Sequence, residues 1–178
     1  MGLLNKKECD KIIKSQSKIF LQGIVKKITK RERNLMPMSS KITIIGAGNV
    51  GSTIAYTLAH DDIASEIVMV DINKDKVEGE VLDIIQGMSF RDPISIVAGD
   101  YEDAKDSDIV IITSGIGRKP GQSRLDLAQT NVNIMKSIAP QIAAVAPNAL
   151  YIIVSNPVDV MTYVFMKVSG IPETFINT

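Results

Sequence analysis

Four residues early in the chain have the types and spacing to hold a dinucleotide. Gly46, Gly48 and Gly51 stand in the order G-x-G-x-x-G, and an acid, Asp71, follows twenty residues after Gly51. The glycines serve three physical needs, namely a tight turn, room for a pyrophosphate against the backbone, and close approach of helix to strand. With no side chain in the way, the free N–H groups at a helix start can face phosphate directly. Asp71 would accept hydrogen bonds from the adenosine ribose hydroxyls, and its charge would repel a 2′-phosphate. That combination selects NAD over NADP.

Other chemistry-bearing groups are sparse. The segment SGIGRKPGQSR, residues 114–124, carries Arg118, Lys119 and Arg124 among three glycines and a proline. Its make-up predicts a polar surface loop of the kind that closes over active sites. From residue type alone, Arg124 reads equally as a functional cation or as a solvated charge at a helix start. Asn156, in Ser-Asn-Pro, reads equally as a ligand or as an ordinary Asn-Pro turn. The one histidine, His60, reads as a helix-end or surface residue. One histidine and one cysteine, Cys9, are too few for a His/Cys metal site, so no metal is expected. A lone cysteine also excludes an intrachain disulfide framework and fits a reducing, cytoplasmic setting.

The elements that must position these groups follow from periodicity. Ile42 to Ile45, Ile67 to Val70, Ile94 to Ala98, Ile109 to Ile112 and Leu150 to Val154 are short apolar runs rich in β-branched residues, as buried parallel strands are. Helical spacing separates them. It begins through Ile54 and Leu58, and returns over residues 74–88 with Val77, Val81, Leu82 and Ile85 on one side. It returns again from Leu125 to Ala146, where Pro140 is expected to split the helix, and over residues 158–168 up to Gly170. The alternation predicts a doubly wound, mostly parallel α/β sheet of the Rossmann type with strand order 3-2-1-4-5. A sixth strand belongs just after the last helix, where FINT stops, and is expected to be missing.

Charge is balanced overall, 20 basic against 20 acidic residues, but unevenly placed. Residues 1–40 hold ten Lys or Arg against three acids and read as a basic leader, disordered or loosely helical. Residues 41–178 form the acidic remainder, read as one nucleotide-binding domain. An acidic domain without aromatic–basic interleaving argues against nucleic acid. No apolar stretch approaches the length of a membrane span.

The segments ITIIGAGNVG, MVDIN, GEVLDIIQG, SDIVIITSG, GRKPGQSR, TNVNI and VSNPVDVMTY are, as a set, similar to the nucleotide-binding half of the L-lactate/malate dehydrogenase family. The resemblance runs from Lys41 to Gly170. It implies an NAD-dependent oxidoreductase of 2-hydroxy acids. It also implies cofactor contacts at Gly46, Gly48, Asn49, Val50, Gly51, Asp71, Thr113, Gly115, Asn131 and Val154. By the same resemblance Arg124 polarises the substrate carbonyl, Asn156 hydrogen-bonds the substrate, and the Asn156–Pro157 bond is cis. Arg118 falls where the family selects its substrate, an arginine going with oxaloacetate and malate. The wording of VSNPVDVMTY and of the domain is closer to the lactate enzymes, so lactate is favoured and malate is the alternative.

The family's acid–base histidine, the carboxylate that orients it and a second substrate-binding arginine have no counterparts in residues 1–178. The chain therefore reads as an N-terminal fragment without its C-terminal catalytic domain, inactive alone. A non-catalytic NAD-binding or interaction module is the third reading. By the resemblance, the full-length relative is a homodimer or homotetramer built partly through the helix near residues 75–88.

Overall fold

A computed structural model describes residues 40–88, 94–117, 121 and 123–178. The chain divides between Met38 and Ser39. The leader up to residue 39, read as disordered or loosely helical, lies outside the described residues, as do Arg118 and Lys119.

Six strands form one sheet: β1 (Lys41–Ile45), β2 (Glu66–Val70), β3 (Ser95–Ala98), β4 (Ile109–Ile112), β5 (Leu150–Ile153) and β6 (Ile176–Asn177). Their order is β3-β2-β1-β4-β5-β6, and every pairing is parallel. The sixth strand expected to be missing is thus present. It is two residues long, and Ile176 and Asn177 stand opposite Tyr151 and Ile152. Two features bring it there: Gly170, at φ 72°, ends the last helix, and a 3₁₀ turn at Glu173–Phe175 then turns the chain back to the sheet. A ladder needs only a few paired groups, and Ile176 and Asn177 of FINT supply them.

Between the strands run α1 (Asn49–His60), α2 (Lys74–Gly87), α3 (Arg124–Val145) and α4 (Val158–Ser169). The central strands are buried along nearly their whole length, which is why they read as unbroken apolar runs. One core joins Ile45, Val110 and Ile112 of the sheet to Met135, Ile138 and Ile142 of α3 and to Met161 and Phe165 of α4. Tyr151 lies in it, its ring 4.8 Å from that of Phe165. Its hydroxyl donates to the carbonyls of Ala146 at 2.8 Å and Ile142 at 3.2 Å. Burial raises the Tyr151 phenol to about 12.

Two expectations about helices need correction. Pro140 does not split the third helix, which is continuous for 22 residues. The ring sits on the exposed side, so the Lys136 carbonyl that loses its amide partner also faces the solvent side and can be hydrated. In α2 the buried face is Val77, Val81 and Ile84, whereas Leu82 and Ile85 are exposed. Positions 77, 81 and 84 stack within one narrow stripe at about 3.6 residues per turn; 82 and 85 are rotated off it.

Candidate active site at the carboxyl edge of the sheet

The glycine loop lies between β1 and α1 and is folded tightly on itself. Gly46 has φ 109°, donates its N–H to the Val70 carbonyl at 2.7 Å, and accepts from Thr113 Oγ1 at 2.9 Å. A Cβ on Gly51 would stand 1.9 Å from the Gly46 oxygen. Gly48 is different. It is the N-cap of α1, at an ordinary φ of −79°, and a Cβ there would meet nothing within 4 Å. The first backbone bond of the helix runs from the Ser52 N–H to the Gly48 oxygen at 2.9 Å. The amides of Asn49, Val50 and Gly51 therefore precede the intrahelical ladder. Open space over a row of helix-start amides is what a pyrophosphate requires.

Asp71 directly follows β2, beside this loop. Its Oδ2 accepts from the Ala47 N–H at 2.7 Å and its Oδ1 from the Asn73 N–H at 3.0 Å. Those two amides fix the carboxylate and leave each oxygen a further lone pair. Tyr101 lies near it: partial burial, and then the charge of Asp71, raise its phenol above the ordinary 10.0. Sequence reading passed over Tyr101, although its place just after Gly99–Asp100 at the end of β3 marks the same sheet edge. Lys74 pairs with Asp100 and donates to the Gly99 carbonyl, tying these two loops together.

The second half of the site lies where β4 and β5 end. Ser114 Oγ donates to the Ile45 carbonyl at 2.9 Å, and Ser155 Oγ to the Ser114 carbonyl at 2.6 Å. The Val154 N–H donates to the Ile112 carbonyl at 2.9 Å. The Asn156–Pro157 peptide is cis, as the resemblance implied, and the Asn156 residue is exposed. Asn131 of α3 is buried at 4% exposure, and its amide bonds backbone groups on both exit loops.

Arg124 is the first residue of α3 and is exposed. Ser123 caps that helix: its Oγ accepts from the Asp126 N–H at 3.1 Å, and Asp126 Oδ2 accepts from the Ser123 N–H at 3.2 Å. A cation in the first turn opposes the helix dipole, so Arg124 stands where local stability disfavours it. It lies seven residues before Asn131, about 10 Å of helix. His60, by contrast, ends α1 and pairs with Asp61 at 3.0 Å. The loop that follows returns to Ser40 at the start of β1, so His60 belongs to the amino edge of the sheet, away from the other groups. Among the described residues no three His, Cys, Asp or Glu stand together as a metal cluster, and no helix is long and apolar enough to cross a membrane.

The residues present fit an NAD molecule: an open cradle over Gly48, unladdered amides behind it, and an anchored carboxylate, Asp71, beside them. Comparison with known proteins agrees. A family profile described as the lactate/malate dehydrogenase NAD binding domain matches residues 40–176. An L-lactate dehydrogenase of Clostridium perfringens is 54% identical over 135 residues, covering 76% of this chain and 43% of that protein. The crystal structure of a minor L-lactate dehydrogenase from Enterococcus mundtii superposes with a TM-score of 0.73 at 40% identity, over 76% of this chain and 44% of that one. A malate dehydrogenase from Archaeoglobus fulgidus in complex with NADH superposes with a TM-score of 0.72 at 41% identity, over 76% and 47%. The chain thus spans less than half the length of the proteins it matches.

Proposed function

We propose, for a chain that belongs to the lactate/malate dehydrogenase family through its NAD-binding domain, that it forms the cofactor half of an NAD-dependent L-lactate dehydrogenase. The observation that carries this reading is the open cradle over Gly48 with Asp71 anchored at its rim. Gly46 to Gly51 would receive the pyrophosphate on the amides of Asn49 and Val50, and Asp71 would hold the ribose hydroxyls. NAD, when bound, supplies the hydride acceptor or donor.

Arg124 would polarise the carbonyl of a 2-oxo acid, and Asn156 would hydrogen-bond the same substrate. Proton transfer to the hydroxyl needs a general acid–base, most often a histidine, and His60 is placed at the wrong edge for it. That group belongs to the part of the relatives that this chain does not span. Lactate is supported by the wording of the domain and by the L-lactate dehydrogenases of Clostridium among its relatives. Arg118 supports malate instead, because a guanidinium can pair bidentately with the second carboxylate of oxaloacetate.

At the full length of its relatives the protein would act in the cytoplasm as a homodimer or homotetramer, with α2 in the main contact. Leu82 at 56% and Ile85 at 44% exposure on that helix support this placement. Calorimetric titration with NADH and NADPH tests the cofactor reading: NADH should bind clearly tighter, and equal affinities would overturn the role of Asp71. Absorbance at 340 nm with pyruvate and oxaloacetate, in the protein at the full length of its relatives, tests the substrate. Loss of oxaloacetate reduction with a gain on pyruvate in Arg118→Gln would establish malate; unchanged preference for pyruvate would leave lactate standing. Absence of turnover with either acid would favour a non-catalytic NAD-binding module.

A further inference from the structure

Asn131 sits two turns inside α3, and its carboxamide reaches three backbone groups on two separate loops. Oδ1 accepts from the Ile116 N–H at 2.9 Å, while Nδ2 donates to the Ile116 carbonyl at 3.3 Å and to the Asn156 carbonyl at 2.8 Å. An asparagine amide has two N–H donors, and both have partners here. The residue as a whole is 4% exposed.

Gly115 completes the arrangement. It has φ 154°, and a Cβ there would come within 3.3 Å of Asn131 Oδ1 and 3.4 Å of Nδ2. A bare backbone at 115 lets the amide seat flat against the loop, so the glycine and the asparagine form a matched pair. The partners are 15 and 25 residues away in sequence, so one side chain joins the exit of β4 to the exit of β5. One exit carries Asn156, a group assigned to the substrate, and the other such group, Arg124, begins the helix that carries Asn131.

We infer that Asn131 is a positioning residue: it holds the β4 exit loop and the Asn156 turn in register, and so sets where the substrate-binding groups stand. The substrate role of those groups rests on the proposed function; the coupling of the two loops does not. Only an amide can satisfy both sides. A carboxylate keeps the acceptor for Ile116 but offers no donor to the Asn156 carbonyl, and alanine offers neither.

The test uses amide exchange and carbonyl ¹³C shifts by NMR on the cofactor-free 178-residue chain. In Asn131→Ala the Ile116 amide should exchange about 10-fold faster, as expected for losing one backbone partner, and the Asn156 carbonyl resonance should move. In Asn131→Asp the Ile116 amide should stay protected while the Asn156 carbonyl still moves. The Ile44 amide of the buried β1 should not change in either, which separates local positioning from general loss of structure. If the alanine variant does not fold, the split between the two reporters in the aspartate variant decides alone. An unchanged Ile116 amide in the alanine variant, or an unmoved Asn156 carbonyl in either variant, would overturn the inference whatever the NADH affinity. Whether the unsubstituted chain binds NADH tests the proposed function separately and leaves this result intact.

Discussion

Gly51→Ala and Gly48→Ala should separate the two roles of the glycine loop, one failing in stability and the other in binding. A Cβ at residue 51 falls 1.9 Å from the Gly46 oxygen and 3.0 Å from Thr113 Oγ1. Relief to an ordinary contact of about 3.4 Å requires the loop or the helix start to move by about 1.5 Å, and overpacking on this scale costs about 1–3 kcal/mol. Gly46 cannot retreat freely, because its N–H and its oxygen are both held, by Val70 and Thr113. The cost therefore belongs near 3 kcal/mol, offset by about 1 kcal/mol from the better helix propensity of alanine. A net loss of about 2 kcal/mol corresponds to a melting temperature lower by about 4–8 °C in a domain of this size. At Gly48 nothing lies within 4 Å and φ is −79°, so alanine fits the backbone. Its cost is that of a poorer N-cap, under about 1 kcal/mol. Yet its methyl group would occupy the place of the pyrophosphate, and NADH affinity should fall at least 10-fold. Thermal unfolding followed by circular dichroism, with calorimetric NADH titration of each variant, makes the comparison. An unchanged melting temperature in Gly51→Ala would refute the steric argument. Wild-type NADH affinity in Gly48→Ala would refute the placement of the phosphates.

Asp71→Asn should erase the preference for NADH over NADPH, read as the ratio of the two dissociation constants. An unchanged ratio would place the ribose elsewhere. Ser123→Ala removes the α3 cap and should cost about 1 kcal/mol, measurable by urea unfolding; no loss would mean that the capping box contributes nothing in solution. Tyr151 adds a pH dependence. Its phenol titrates near 12 in the fold against 10.0 when unfolded, so its stabilisation is complete below pH 10 and is lost as pH rises towards 12. The loss should approach roughly 2–3 kcal/mol, at about 1.4 kcal/mol per pH unit. Urea unfolding between pH 9 and 12 should show it in the unsubstituted chain and not in Tyr151→Phe, and parallel curves for the two would dismiss the effect.

The order of five strands was legible because central parallel strands must be apolar on both faces, and the runs at Ile42, Ile67 and Ile109 could be nothing else. The place of a sixth strand after the last helix was legible, but its presence was not, since two residues carry no periodicity and only the turn after Pro172 brings them to Tyr151. Pro140 misled because the rule against internal prolines takes no account of which side of the helix faces water. Ile84 and Ile85 are chemically identical, and only the phase set by Val77 and Val81 distinguishes them. At the site, the position of Asp71 directly after β2 was readable from spacing, but its anchoring by the Ala47 and Asn73 amides was not. Asn131 carries no local signal for its partners, because they meet it only after the sheet has formed.

The apolar side chains left exposed on the helices bear on how this chain behaves at high concentration. Leu82 is 56% and Ile85 44% exposed on α2, and Tyr163 is 59% exposed on α4. Exposed apolar side chains are where one molecule adheres to another. In the 178-residue chain a lysine at position 82 should therefore raise solubility, whereas in an assembled protein the same lysine would weaken the contact proposed for α2. One substitution thus acts in opposite directions on clouding and on assembly.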